Sequence, residues 1–498
     1  MKENTNKAIF INSMILYAKL FIMTICGLFT TRFALLALGV SDFGLFSLLG
    51  SLITFIAIFN TVMIATSNRF ISVAIGKGDL HIINDQFNIC RVIHIAIAVA
   101  TFFIAIPLGD FYINKFLHYD GNIVKAIDVF HFTIIGSVIS FVGVPYNGLL
   151  IAKEKFLVFS ITEILTHLIK LGIAFSLVYY FEEKLLIFAF TQAFVTAIPT
   201  FVYHLYCKNK YPEIVAFNIP RNKNKYKEVF SFSGWVAFGA IATIGKSQGA
   251  QILVNNFFST VMNTALGLAN TVNGLIGSFA NSISQPIMPQ ITKNYAAGNY
   301  SRCDDLLVMS TKYTFLVTLF VSAPFLSNAD LIFSIWLGST PNYALSFTYL
   351  IIVDTLITAL NSGISNLIFA SGKIKTYQVS INTLRLGSIV AAFIVLKYGC
   401  PAHFLLIAYI VFSLIIFFVG QIVLNNVLNY NNMVLWKRSY IPSISVVCVF
   451  TPFLLFDLTS SSFLNVFILQ VVLTVIIFAL GLTHEERSFI MKLKQTNE

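Results

Sequence analysis

The sequence has little charge. Asp, Glu, Lys and Arg make up 11% of its 498 residues and apolar residues 57%, whereas an average globular domain carries about 25% and about 45–50%. This excludes a soluble protein, and the polar breaks between apolar runs leave almost no chain for a soluble domain. A small-residue cleavage site is also missing after the apolar start, so the run from Ile9 reads as a first span and not as a signal peptide. Cysteines at 26, 90, 207, 303, 400 and 448 form no C-x-x-C pair and no local cluster, which implies neither a disulfide framework nor a zinc site. H-E-x-x-H, G-x-S-x-G and Walker sequences are absent too, so no catalytic motif marks an enzyme.

Long apolar runs are what the chain does have. Runs of about 20 residues, each enough for a hydrocarbon core of about 30 Å, recur from Ile9 to Leu482. They fall at about 9–30, 43–65, 92–114, 126–150, 156–180, 185–206, 229–257, 261–287, 312–335, 345–370, 376–398, 402–425, 440–458 and 463–483. The pattern predicts an all-α, polytopic membrane protein with about fourteen transmembrane helices. The net charge of +11 is dealt out loop by loop, as in Arg69/Lys77/Arg91, Lys153/Lys155, Lys373/Lys375 and Lys437/Arg438. About 23 of the Lys and Arg residues fall on the face holding both termini, about 4 on the other and about 5 within spans. That asymmetry makes both termini cytoplasmic and argues against a nucleic-acid partner.

The most basic loop, CKNKYPEIVAFNIPRNKNKYKEV (207–229), separates helices six and seven. A shift of about 220 residues places KAIF (7–10) on KEVF (227–230), Ser13 on Ser233, and IGKGDL (75–80) on AAGNY around Gly298. Ile106-Pro107 falls near Ala323-Pro324, Leu117 on Leu337, and Ser160-Ile161 on Ser380-Ile381. These matches keep their order along both halves. They predict two pseudo-symmetric six-helix lobes at 1–206 and 229–425, a cytoplasmic basic linker at 207–228, and helices 13 and 14 with a cytoplasmic tail at 426–498. Lobes of six helices keep one orientation across the membrane, the arrangement in which transporters rock two bundles about a central site.

TTRFALLALGVSDFGLFSLLG (30–50), the small-residue and Gly-Asp turn around 74–79, IWLG (335–338) and the six-plus-six-plus-two plan resemble bacterial polysaccharide flippases. These belong to the MOP superfamily, which also holds the MATE exporters and the peptidoglycan-precursor flippases. The resemblance covers nearly the whole chain and implies a MATE-like fold. It further implies a flippase that moves undecaprenyl-pyrophosphate-linked oligosaccharide, an O-antigen or capsule repeat unit, from the cytoplasmic to the periplasmic leaflet of a bacterial inner membrane by alternating access. The implied partners are that glycan, the bilayer and a polysaccharide polymerase; no cofactor is implied beyond coupling to H+ or Na+. Helices 13 and 14 either border a groove for the lipid tail, as in the peptidoglycan-precursor flippases, or form a packing annex.

Five cations lie within spans: Lys19, Arg32, Lys170, Lys246 and Arg385. Insertion scales put each at about 2.5–3.5 kcal/mol at a helix centre, so each needs a cavity, a partner or an interface. Together they read as a cationic cavity for substrate. Lys19, about 16 Å from the cytoplasmic end of its helix, shares a face with Asn12, which favours an inward polar stripe over snorkelling. Arg32, near the outer end, reads equally as an interfacial anchor. Glu163, His167 and Lys170 share one helix face, as a self-satisfied stripe or a substrate site. Asp354 comes within reach of Arg385 across the turn at 371–375, with a depth mismatch of about 7–8 Å. Glu163 and Asp354 are the ion-coupling candidates. Lys246, in AIATIGKSQGAQILV (240–254), has no acid in its own helix. It either takes Glu163 or Asp354 from another helix or stands in a watery cavity that attracts an anion, and the excess of cations over acids favours the cavity. In the eighth helix Asn263, Asn270, Gly274 and Asn281 return to one face, as an amide stripe for sugar hydroxyls or as glue between helices.

Three function classes compete. A flippase for an anionic lipid-linked glycan fits the cationic excess. A cation-coupled multidrug exporter of the MATE type needs acids inside the lobes, and the first and seventh helices have none, although Glu163 and Asp354 keep that class open. A membrane-embedded polysaccharide polymerase or ligase needs acceptor and donor sites on a sizeable outer loop, and the outer loops here are only a few residues long.

Overall fold

The structure is a computed structural model that describes residues 2–116, 122–258, 260–337, 343–454 and 462–488. Leu117 and Gly338 lie outside the described residues, as does the side chain of Asn263. Among the described residues there are helices and no strands. The first half contains α1 (Lys2–Lys77), α2 (Leu80–Phe116), α3 (Ile123–Ala152), α4 (Phe156–Tyr180), α5 (Lys184–Lys210) and the short α6 (Pro212–Val215). After it come α7 (Lys223–Phe257), α8 (Thr260–Ala296), α9 (Tyr300–Leu337), α10 (Ala344–Ala359), α11 (Ser362–Ser371), α12 (Ile374–Lys397) and α13 (His403–Leu428). The chain continues through α14 (Met433–Leu435), a π-turn at Trp436–Tyr440, α15 (Ile441–Leu454), α16 (Ser462–Ile476) and a second π-turn at Ile477–Gly481.

Among the described residues eleven helices are long and apolar enough to cross a bilayer, and α10 with α11, bent by 42°, makes a twelfth. The arm of α1 beyond Gly39 and the more polar α8 occupy the other two expected spans. The protein is therefore a multi-pass, all-α membrane protein. The break expected between the first two spans falls at Gly39, whose φ 75° and ψ 174° are not helical. One expected feature differs in detail. The single run expected at 345–370 is broken: Asn361 Nδ2 donates to the Ile416 carbonyl at 3.3 Å and Ser362 Oγ to the Ser310 carbonyl at 3.1 Å. Side chains bonding to the backbone of neighbouring helices thus hold the break, which inside a membrane requires such partners.

The expected repeat has local counterparts. Gly78 and Gly298 both adopt left-handed φ, 81° and 75°, and each donates its amide to the carbonyl three residues back, Ile75 and Tyr295, at 3.1 Å. That helix-ending geometry carries no side-chain penalty only for glycine. Pro107 and Pro324 each lie inside a long helix, α2 and α9. Ser13 and Ser233 are both buried.

The chain forms two compact units, Met1–Ala237 with Thr292–Gly298, and Phe238–Ile291 with Asn299–Glu498. In the first, Ala34, Leu49, Ala126, Ile134, Ala174 and Leu177 form an apolar core. In the second, α15 and α16 pack on α9 through Leu316, Leu319, Val446, Phe450, Leu469 and Leu473. The helices expected as 13 and 14 therefore bury a face against α9. The chain beyond α16 is fastened to the same helix. The Glu486 carboxylate accepts from Lys312 Nζ at 2.6 and 2.7 Å, from Tyr313 Oη at 2.8 Å and from the Thr483 amide at 2.7 Å.

Candidate functional site

The second unit builds its polar centre from α7, α10 and α13. Lys246 Nζ donates to Asp354 Oδ2 at 2.7 Å and Oδ1 at 3.0 Å, and to Ser413 Oγ at 3.4 Å. Ser413 Oγ in turn donates to Asp354 Oδ1 at 2.5 Å. Tyr409, one turn before Ser413, donates its hydroxyl to the Lys246 carbonyl at 2.9 Å and holds its ring 4.9 Å from Nζ. The ion pair is mostly enclosed, with the two side chains 17% and 19% exposed.

This corrects the expectation of an unpaired Lys246 awaiting an anion: its acid comes from α10. It also separates Asp354 from Arg385. Arg385 Nη1 donates instead to Thr243 Oγ1 at 2.9 Å and to Asn382 Oδ1 at 3.1 Å. Thr243 stands one turn from Lys246, so the guanidinium and the ammonium follow one another along the same side of α7.

In the first unit the Lys19 ammonium sits 4.0 Å above the Phe159 ring, a cation–π contact that stabilises it where water is scarce. Glu163 accepts from Tyr203 Oη at 3.3 Å, and His167 Nδ1 bonds to the Glu163 carbonyl at 2.9 Å. The carboxylate acts electrostatically on both Lys19 and Lys170. Among the described residues, however, neither lysine nitrogen comes within 4.0 Å of it. The expected Glu163 to Lys170 pairing is therefore not a contact, because seven residues on one helix separate them by about 10 Å along the axis. The result is one acid flanked by two lysines.

The remaining candidates are dispersed. Arg32 is exposed, as an interfacial anchor would be. Asn270 is half-buried and Asn281 exposed, and no described side chain bonds to either. An amide of this helix that the structure engages beside Asp354 is Asn273, which accepts from Thr355 Oγ1 at 2.6 Å. Asn273, Tyr409 and Ser413 escaped the sequence reading. The polar pair at i and i+4 within the apolar run 404–420 of α13 was the available signal. Among the described residues no group of three His, Cys, Asp or Glu side chains is placed to hold a metal ion.

No protein-family model matches the chain, and no curated protein matches its sequence. Solved structures do. A point mutant of a MATE protein superimposes with a TM-score of 0.76 at 12% identity, over 86% of this chain and 97% of that one. A MOP superfamily transporter from Pyrococcus furiosus, described as having a binding pocket of reversed polarity that suggests a different function, gives 0.72 at 13% identity, over 85% and 95%. A mutant of the Vibrio cholerae MATE transporter VcmN gives 0.69 at 14% identity, over 87% and 99%. At such identities the likeness establishes the fold, which is that of the MATE transporters of the MOP superfamily.

Proposed function

We propose that this protein is a flippase that carries an undecaprenyl-pyrophosphate-linked oligosaccharide, an O-antigen or capsule repeat unit, across a bacterial inner membrane by alternating access, with both termini cytoplasmic. The observation that supports this most is the charge around Glu163 and Asp354. Lys19 and Lys170 flank Glu163, and Lys246 pairs with Asp354 while Arg385 stands on the same side of α7. Each cluster thus keeps a net positive charge in a low-dielectric setting, which draws a diphosphate and repels an organic cation. The arginine suits a phosphate, since its planar fork can donate two parallel hydrogen bonds. The half-buried Asn270 and exposed Asn281 offer amides to sugar hydroxyls. A polysaccharide polymerase would take the flipped product.

The multidrug-exporter reading needs a carboxylate free to receive a cation. Asp354 is already bonded to the Lys246 ammonium and to Ser413, and Glu163 lies among two lysines, so neither acid favours that reading. The Pyrococcus furiosus transporter, described as having a pocket of reversed polarity that suggests a different function, has this fold too, so the fold alone does not fix one function. The test is deletion of the protein followed by mass spectrometry of the undecaprenyl-linked species that accumulate in the membrane. Accumulated glycan, cleared by the wild-type chain and not by Lys246→Ala/Arg385→Ala, is the expected result. Unchanged lipid-linked glycan together with new sensitivity to cationic drugs would replace this reading with the exporter.

A further inference from the structure

The first unit contains a cavity of about 760 Å³, in the size range of ligand sites, with walls drawn from α1, α2, α3 and the start of α7. On α2 its lining extends from Ile97 to Tyr112, about 22 Å at 1.5 Å per residue, so it is a slot running along most of a hydrocarbon core. The walls are almost wholly carbon. Ser233 contributes a hydroxyl, but that hydroxyl is spent on the Val229 carbonyl at 2.8 Å and Thr66 Oγ1 at 3.2 Å. Ile104, Leu108 and Phe230 line the slot and are still 59%, 62% and 54% exposed, so its mouth opens sideways among apolar residues. A Cβ built on Gly234 meets no atom within 4 Å; glycine keeps that part of the slot empty.

Two arginines stand beyond one end of the slot. Val62, Thr66 and Arg69 share a face of α1, and the Arg69 guanidinium lies 4.7 Å from the Phe70 ring and 4.6 Å from the Phe232 ring, about 10 Å along the helix from the lining residue Val62. On α2, Arg91 stands six residues before Ile97 and stacks on Phe217 at 5.0 Å. A carbon-walled slot with a lateral mouth and two guanidinium groups beyond one end complements a long hydrocarbon chain that ends in an acidic head. We infer that the slot takes the polyprenyl chain of the carried lipid, with Arg69 and Arg91 at the level of its phosphate. The choice of a polyprenyl chain rests on the flippase reading. It places the tail in the first unit, on α1, α2 and α7, and not on α15 and α16.

The test uses the full chain purified into nanodiscs of phosphatidylethanolamine and two photoreactive probes, a sugar-free polyprenyl phosphate with a diazirine in the chain and a phosphatidylglycerol with the same group. The expected result is labelling of peptides covering 97–112 and 230–237 by the polyprenyl probe, suppressed by unlabelled polyprenyl phosphate and not by excess phosphatidylglycerol. Gly234→Leu and Ala100→Phe, which extend side chains into the slot, should each abolish it. Gly234→Leu enters open space, so folding is expected to survive, and size-exclusion profiles verify this. Equal labelling by both probes would make the occupant ordinary bilayer lipid and overturn the inference. So would absence of labelling, or labelling that both variants leave intact. Because the probe carries no sugar and nothing is transported, these outcomes are separate from failure of the flippase reading, which shows as unchanged lipid-linked glycan in cells lacking the protein.

Discussion

Replacing Lys246 by alanine leaves Asp354 with only the Ser413 hydroxyl as donor, in a site where the acid is 19% exposed. At 2.7 Å and an effective dielectric constant of about 20, the lost attraction is about 6 kcal/mol. The intact pair nets far less, since desolvation costs several kcal/mol per ion, but a stranded partner typically costs about 3–5 kcal/mol. Lys246→Ala and Asp354→Asn should therefore each lower the melting temperature of the detergent-solubilised protein and its abundance in membranes. The double variant removes both charges and should recover most of that loss, with a coupling of about 0.5–3 kcal/mol in the cycle. Glycan export separates fold from function. If the ammonium also meets the substrate, the double variant is abundant and still exports poorly, while Lys246→Arg, which keeps the charge, retains part of the export. The assay is complementation of a deletion strain with membrane protein quantified in parallel. A double variant that recovers both abundance and full export would show that Lys246 serves only the fold, and would remove it from the substrate site.

Glu163→Gln removes the charge that two lysines share, so export should change its dependence on the proton or sodium gradient, measured with ionophores in whole cells; an unchanged dependence with weaker folding would make the Glu163 cluster structural. Cysteine labelling in intact cells should place Lys223→Cys in the cytoplasm and Cys400 in the periplasm, and finding both on one side would break the fourteen-span plan. Glu486→Gln should release the chain end, because Lys312, with its side chain 1% exposed, is left without its carboxylate at a cost of about 3–5 kcal/mol; faster proteolysis of 484–488 at neutral pH is the readout. Burial pushes the Glu486 carboxyl up, but the Lys312 charge and the bonds from Lys312, Thr483 and Tyr313 outweigh it and hold the group below its ordinary value. The released chain end then binds the proton more readily, so the wild-type clamp is at full strength above the ordinary glutamate range of about 4.3 and is lost as pH falls through the depressed value. Release already at neutral pH in the wild type would contradict this.

The helices were legible because their signal is local: a run of about 20 apolar residues has one low-energy form in a bilayer. The turns at Gly78 and Gly298 were legible through the repeat, since left-handed φ restricts the residue type at both places. The break at Asn361 was not. An asparagine inside an apolar run reads as one more polar residue on a helix face. Its effect depends on the Ile416 carbonyl of α13 standing where the amide can reach it, and no periodicity along one helix contains that information.

The partner of Lys246 shows the same limit at the site itself. Along a sequence, depth in the membrane can be counted from the nearest turn, and that count set Asp354 against Arg385 because both flank the turn at 371–375. Pairing in a bundle also needs rotation about each helix axis and adjacency of helices distant in sequence. The real pair joins residues 108 positions apart. Two features of the sequence bore on it: Lys246 has no acid in its own helix, which demanded a partner or water, and Tyr409 and Ser413 interrupt the apolar run 404–420 of α13 at i and i+4. A polar pair on an otherwise apolar helix marks the face turned toward a buried polar group. The other helices offer several acids, Asp110, Asp128, Glu163, Asp330 and Asp354 among them, and only geometry selects the partner.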